Sequence, residues 1–138
     1  WYYAGGYAVR NYRSRGGGWK RLLMHQVILG VTGDQWVDHV NGNGLDNQRS
    51  NLRHCSKQES TFNRGLSSRS STGFPGVTRL ANRTYQAYVT FNGKRRYLGI
   101  GNTPEEAFAL REREAKKLFG NFYPEDPLRK PDYRGGLQ

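Results

Sequence analysis

The sequence contains one cysteine, few acidic residues and no long apolar run, and each of these shortages excludes a class of protein. With Cys55 alone, neither a disulfide framework nor a cysteine-rich zinc knuckle can form within the chain. Apolar stretches such as Val27-Ile28-Leu29 are far too short to cross a bilayer. No signal peptide is visible, so we expect an intracellular protein with no membrane partner.

The acidic residues are outnumbered two to one by basic residues. The chain of 138 residues has 22 Lys and Arg against 11 Asp and Glu, a formal net charge of +11. The excess is spread along the chain, so neither half is a basic tail attached to a neutral domain. This balance favours a polyanionic partner, with nucleic acid ahead of a membrane surface. A merely soluble basic protein is the alternative.

The first third of the chain predicts strands. Aromatic, β-branched and Arg residues are mixed over residues 1–15, with a turn at Gly5-Gly6. Residues 16–18 are all glycine and predict a loop. Residues 19–31 carry apolar positions that fit a short helix and a strand equally well.

Residues 35–65 predict a strand, a long loop, a second strand and a helix. The first strand covers 36–40 and the second covers 51–54, and residues between them are rich in Asn and Gly, which favour turns. Ser56 suits the N-cap of the helix, and Glu59 completes a capping box. We expect this helix to run to about Arg64 and to stop at Gly65.

Residues 73–123 predict three strands and a helix. Apolar and polar residues alternate over 85–91, and Asn92-Gly93 is a strong hairpin turn signal. The last helix starts at Thr103-Pro104 and ends at Gly120. Its apolar arc would cover one face of the sheet. Residues 66–72 have the composition of a flexible linker, and 124–138 form a tail.

One run of polar residues carries the chemistry. Asp38-His39 is followed by Asn51 after twelve residues and by Asn63 after another twelve, with Asn-Gly repeats in between. This spacing, with Leu45-Asp46-Asn47, resembles the HNH nuclease motif of phage and mobile-element endonucleases. The resemblance covers roughly residues 19–65. It implies a ββα-metal fold that binds one divalent ion, Mg²⁺ or alternatively Mn²⁺, and a protein acting in the cytoplasm or nucleoid of the host.

The residue types suit hydrolysis of a phosphodiester. Imidazole is the side chain whose ordinary pKa lies closest to neutrality, so His39 suits the role of the base that activates water. Asp38 offers hard oxygen ligands for Mg²⁺, and Asn51 can hydrogen-bond either the loop or the His39 ring. The resemblance implies a second metal ligand on the following helix.

The sequence departs from the family pattern at that second ligand. The helical position, nine residues after Asn51, is Ser60 rather than Asn or His. Asn63 lies one turn later on the same helical face and is the alternative ligand. The substitution could instead weaken the metal site. His25, among apolar neighbours, is a further candidate for the active site, although a buried core histidine is the more common role.

A second resemblance covers residues 73–123. Phe74-Pro75-Gly76-Val77, Leu98-Gly99 and Thr103-Pro104-Glu105-Glu106-Ala107 resemble the plant ethylene-response-factor (Apetala-type) DNA-binding domain. That family places the open face of a three-stranded antiparallel sheet in the major groove. Arg can read guanine bidentately, whereas Lys mostly holds phosphates, and the assignment to bases depends on the sheet register. The predicted DNA-contacting residues are Arg79, Arg83, Gln86, Tyr88, Lys94, Arg95, Arg96 and Tyr97.

We therefore predict an α+β protein with a nuclease domain at 1–65, a linker at 66–72, a DNA-binding domain at 73–123 and a tail. The predicted activity is metal-dependent cleavage of double-stranded DNA. A monomer would nick one strand, and a double-strand break requires a homodimer or two visits. A DNA-binding protein with a degenerate nuclease unit is the main alternative, and an RNA-binding or ribonuclease module is a third.

Overall fold

A computed structural model describes residues 1–130 and has the predicted α+β architecture. These residues form two compact units, Trp1–Thr61 and 62–130. The predicted tail lies partly outside the described residues, since these end at Lys130. Within the described range, the helices are too short or too polar to cross a membrane.

The first unit opens with a three-stranded antiparallel sheet. Strands β1 (Tyr2–Ala4), β2 (Tyr7–Arg13) and β3 (Trp19–Leu23) are ordered β1-β2-β3. Helix α1 (Met24–Leu29) follows β3 directly and ends at Gly30, which has a φ of 65°. The ambiguous segment 19–31 is thus a strand and then a helix, which explains why its apolar residues fit both periods equally.

A β-hairpin and a short helix complete the first unit. Strand β4 (Trp36–His39) pairs antiparallel with β5 (Leu52–Cys55), with Trp36 opposite Cys55 and His39 opposite Leu52. The predicted capping box forms at the start of α2 (Lys57–Phe62). The Ser56 amide donates to Glu59 Oε2 at 2.7 Å, and the Glu59 amide donates to Ser56 Oγ at 3.1 Å.

Two boundaries in this region differ from the prediction. The sequence predicts Asn51 on the second strand, but it closes a 3-10 turn, Arg49–Asn51, that precedes the strand. Helix α2 is predicted to reach Arg64, but it ends at Phe62. Gly65 marks a close approach instead, because a Cβ there would collide with the backbone oxygen of Arg129.

The second unit is a three-stranded antiparallel sheet covered by one helix, as predicted. Its strands are β6 (Val77–Arg79), β7 (Tyr85–Phe91) and β8 (Lys94–Gly101), and the helix is α3 (Pro104–Phe119), followed by a 3-10 turn.

The space between this sheet and α3 holds most of the buried apolar residues found among residues 1–130. Val89 packs with Ala115 and Phe119 of α3, and Phe62 joins this cluster by stacking on Phe119 at 4.0 Å between ring centroids. The second cluster is Val77, Ala87, Ala107 and Phe108.

A β-bulge lies in the pairing of β7 with β8. Ala87 pairs with Gly99, but its neighbour Tyr88 pairs with Tyr97, so Leu98 is the extra residue. Leu98 packs against both buried clusters. The bulge lets Leu98 face the helix while Tyr97, next to it, points away and is 62% exposed.

Candidate active site and nucleic-acid interface

The end of β4 buries two ionisable residues in succession. Asp38 is 8% exposed and His39 is 5% exposed. Charged or polar groups at such positions need partners, because desolvation without compensating hydrogen bonds costs several kcal/mol. The partners of these two side chains therefore define the site.

The His39 ring is oriented by Asn47. His39 Nε2 lies 3.1 Å from Asn47 Oδ1. The Asn47 amide group faces the other way, toward Met24 Sδ and the Leu45 carbonyl oxygen, each at 3.4 Å. Both of those atoms accept hydrogen bonds, so the amide oxygen is the atom turned to His39. An oxygen can only accept, which puts the ring proton on Nε2 and the basic lone pair on Nδ1.

Asn51 holds the loop that separates the two strands. Its Oδ1 accepts from the Asn41 amide at 3.0 Å, while its Nδ2 donates to Asn41 Oδ1 at 3.0 Å and to the Asp46 carbonyl oxygen at 2.9 Å. Of the two roles left open for Asn51, these contacts are those of the loop holder. The loop in turn carries Asn47 to the His39 ring.

Glycine is required where this loop meets the N-terminal sheet. A Cβ on Gly44 would collide with the backbone oxygen of Gly6 and lie 2.8 Å from the Tyr7 ring. The Gly5-Gly6 turn and the Asn-Gly loop thus approach each other closely, and the approach places Tyr7 beside the site.

Three rings pack together behind the strand end. The His25 ring centroid lies 5.0 Å from that of His39 and 5.3 Å from that of Tyr7, and Tyr7 lies 5.9 Å from His39. Burial, with the nearby His39, lowers the pKa of His25 to about 4. His25 is therefore neutral at physiological pH, and its buried Nδ1 has no hydrogen-bond partner among residues 1–130.

Asp38 forms an ion pair with Arg53, which lies opposite it on β5. The Asp38 Oδ2 atom accepts from Arg53 Nε at 2.8 Å and Nη2 at 2.7 Å. The described part of the chain contains no cluster of three or more His, Cys, Asp or Glu able to hold a metal ion. One carboxylate still fits Mg²⁺, which commonly binds one or two carboxylates and completes its coordination with water and substrate phosphate.

The two candidates for the second metal ligand belong to different units. Ser60 lies inside α2, in the first unit, and is half-buried. Asn63 follows the last residue of α2, belongs to the second unit and is 4% exposed. The choice between them stays a prediction.

The single cysteine has no catalytic character. Burial, aided by the carboxylates of Asp38 and Glu59, raises the pKa of the Cys55 thiol to about 11. A thiol with that pKa is protonated at neutral pH and is a poor nucleophile.

The open face of the second sheet brings together half of the predicted DNA-contacting residues. Along β7 and β8, Tyr88 pairs with Tyr97, and the Arg95 guanidinium lies 4.0 Å from the Tyr88 ring centroid. The four predicted residues on this face are Gln86, Tyr88, Arg95 and Tyr97.

The other four predicted residues lie elsewhere. Lys94, Arg96 and Arg79 pair with Phe91, Val89 and Tyr85 and so share the strand parity of the helix-covered face. All three are exposed at its margin. Arg83 lies in the turn before β7 with a φ of 63°.

Sequence reasoning missed the roles of Asn47 and Arg53. Asn47 belongs to the Leu45-Asp46-Asn47 run that contributed to the family resemblance, and that run was the available signal. Arg53 follows Asn51-Leu52, and its role emerges only from the register that sets it opposite Asp38.

The candidate site in the first unit is a β-hairpin that buries an adjacent Asp-His pair. A loop held by Asn51 joins the two strands, and a capped helix follows the second strand. No family model and no solved structure matches the chain. An uncharacterized HNH endonuclease of Acanthamoeba polyphaga mimivirus is 33% identical over 103 residues, which are 74% of this chain and 53% of that protein. The chain thus spans about half the length of this relative. The similarity supports the HNH part of the resemblance and a nuclease function.

Proposed function

We propose that the chain is an HNH endonuclease that hydrolyses phosphodiester bonds of double-stranded DNA with one bound divalent ion. The observation that carries the proposal is the orientation of His39, a buried imidazole whose Nε2 faces the Asn47 amide oxygen at 3.1 Å. An imidazole held in the Nε2-protonated tautomer is unprotonated at Nδ1, the nitrogen proposed here as the base.

His39 Nδ1 takes the proton of a water molecule that attacks the scissile phosphorus in line. Asn47 keeps the ring in this tautomer, and Asn51 keeps the loop that carries Asn47 in place. The departing group is the 3′ oxygen, so the products have 5′-phosphate and 3′-hydroxyl ends. General-base catalysis of this kind contributes about 10²–10⁴-fold to the rate.

The carboxylate of Asp38 would hold the Mg²⁺ ion, with Ser60 or Asn63 and phosphate oxygens completing the site. When bound, the ion neutralises charge that develops on the leaving oxygen. Because Asp38 Oδ2 is engaged by Arg53, a cation at that oxygen would compete with the guanidinium, which is itself suited to recognising a substrate phosphate.

The second unit would anchor the enzyme as an Apetala-type DNA-binding domain. Its open face carries Arg95 beside Tyr88, with Gln86 and Tyr97 next to them. Arg and Gln are side chains that read base edges bidentately. We propose that this face enters the major groove, while Arg79, Arg83, Lys94 and Arg96 at the margin hold phosphates.

Conversion of supercoiled plasmid to the nicked form in Mg²⁺ tests the activity. We expect His39→Ala to lose nicking while retaining duplex binding in EDTA. His54→Ala is the matched control, because His54 is exposed on the neighbouring strand and should be neutral. Equal nicking rates for the parent and His39→Ala would overturn the catalytic proposal. The ratio of nicked to linear plasmid, compared between monomeric and dimeric protein, distinguishes nicking by a monomer from double-strand cleavage by a homodimer.

A non-catalytic DNA-binding protein with a degenerate nuclease unit is the second candidate. Two observations favour it: Ser60 is a weak neutral ligand, and Asp38 is already neutralised by Arg53 at 2.7 Å. Duplex binding without any cleavage, in Mg²⁺ and in Mn²⁺, would support this candidate over the nuclease.

A further inference from the structure

The N-terminal sheet turns one face inward and leaves the other open. Val9 is 1% exposed and marks the inner face, which also carries Tyr7 beside the candidate site. Side chains alternate across a strand, so residues of the other parity lie on the outer face. We call this the N-terminal open face, and its exposed residues are Trp1, Tyr3, Arg10, Tyr12 and Lys20.

Three aromatic side chains are exposed on the N-terminal open face, as Tyr2, Tyr7 and Trp19 of the other parity also are. Trp1 is 50%, Tyr3 42% and Tyr12 40% exposed. Large apolar groups in solvent that recur on one surface indicate a binding site more often than scattered ones do. Their planar rings define the type of ligand, because they can stack on other planar groups.

The charge of this face has a single sign. The first 33 residues include five basic residues and no acidic residue. Arg10 and Lys20 lie on the N-terminal open face itself, and the Arg10 guanidinium lies 5.3 Å from the Trp1 ring centroid. Such a surface is complementary to a polyanion.

The three aromatic residues of this face lie at successive outward-facing positions along the sheet. Tyr3 lies opposite Ala8, while Trp1 contacts Arg10, and Tyr12 lies two residues further along β2. Two residues of a strand span roughly 6.6 Å, which is about twice the roughly 3.4 Å axial rise per nucleotide of one B-DNA strand. Rings at this spacing suit bases that are splayed apart, and the bases of a duplex are not accessible for stacking on a flat face.

We propose that the N-terminal open face binds single-stranded nucleic acid. Unpaired bases stack on Tyr3, Trp1 and Tyr12, and the phosphates between them contact Arg10 and Lys20. Stacking platforms with adjacent basic residues are the usual device for single strands without sequence preference. This proposed site lies on the opposite side of the sheet from Tyr7. It requires nucleic acid as a partner, but it does not require that the chain cleaves nucleic acid.

Fluorescence anisotropy with a labelled oligothymidylate, in EDTA, tests the proposal. We expect the double variant Tyr3→Ala/Tyr12→Ala to lower affinity roughly tenfold for each ring removed. The matched control Tyr3→Phe/Tyr12→Phe keeps both rings and should bind as the parent does. Affinity for a blunt duplex of the same length should be unchanged in both variants.

Salt titration separates stacking from charge. Arg10→Gln/Lys20→Gln should reduce the slope of log affinity against log salt concentration by roughly 0.7 for each phosphate that the variant no longer neutralises. Tyr3→Ala/Tyr12→Ala should leave that slope unchanged, and circular dichroism checks that each variant is folded.

Three outcomes would overturn the proposal. One is unchanged oligothymidylate affinity in the folded alanine variant, and another is an equal loss of affinity for the duplex. The third is that the parent chain self-associates or binds anionic vesicles, and that the alanine variant loses this property while it still binds oligothymidylate. Because no arm measures cleavage, a failure of nuclease activity leaves these results interpretable.

Discussion

The neutral, buried His25 makes the stability of the first unit depend on pH. Its pKa is about 4 in the folded protein against 6.5 for an ordinary histidine. Above pH 6.5 the imidazole is neutral whether the chain is folded or not. Below that pH the unfolded chain binds a proton that the folded chain resists, so stability falls as the pH is lowered and the loss is complete below the folded pKa.

The two pKa values set the size of the effect. Between pH 7 and pH 5 the loss of stability from this one group is about 2 kcal/mol, and it approaches about 3 kcal/mol at still lower pH. Such a loss is a large part of the roughly 5–15 kcal/mol typical of folded domains. We therefore expect a clear displacement of the urea midpoint, by about 1–2 M.

Tryptophan fluorescence is suited to this measurement, because the three tryptophans, Trp1, Trp19 and Trp36, all lie in the first unit. The variant His25→Phe keeps a ring against Tyr7 but cannot be protonated. Its urea midpoint should change less between pH 7 and pH 5 than that of the parent, by the displacement derived above.

His54→Ala supplies the control, since His54 is exposed and its removal should leave the parent pH dependence in place. Groups that do not contact His25 act equally on the parent and on His25→Phe, so the difference between the two isolates His25 together with its coupling to His39. If both lose the same stability between pH 7 and pH 5, the reasoning from burial is refuted.

Four further predictions follow from the contacts around the site. Asn47→Ala should slow single-turnover nicking about tenfold without weakening duplex binding in EDTA, because the His39 tautomer is no longer held. Arg53→Gln should lower the free energy of unfolding by about 2 kcal/mol in urea titrations, since it leaves the buried carboxylate of Asp38 without its cation. Gly44→Ala should cost a similar amount, about 1–3 kcal/mol by the same assay, because the Cβ has no room. Ser60→Asn should lower the Mg²⁺ concentration that gives half-maximal nicking, and an unchanged value would direct attention to another ligand.

Local signals in the sequence are sufficient for most of the fold. The helix caps at Ser56 and Thr103 join residues three apart, so they can be read without knowledge of the tertiary structure, and both side chains cap their helices. The turn at Asn92-Gly93 and the alternation over 85–91 are equally local. Segment 19–31 is ambiguous because a strand passes directly into a helix there, with no turn residue between β3 and α1.

The partners within the site could not be predicted because they depend on register and loop path. Asn47 is one of several asparagines in the loop, and only the folded loop brings it to His39. The bulge at Ala87/Tyr88 shifts β8 relative to β7. The pairing set by the Asn92-Gly93 turn places Arg95, opposite Thr90, on the open face and its neighbour Arg96, opposite Val89, on the covered face, a distinction that charge alone cannot make.

The interior of the first unit has a consequence for its evolution and its engineering. Five side chains in Trp1–Thr61 are buried, and the apolar ones are only Val9 and Leu52. His25, Asp38 and His39 make up the rest, so the two groups proposed for chemistry, Asp38 and His39, also belong to the packing that holds the unit together. If selection for cleavage were lost, these residues would still be retained, because the first unit needs them in order to fold. Redesign of specificity is accordingly safer in the second unit, where an apolar core lies apart from the exposed face.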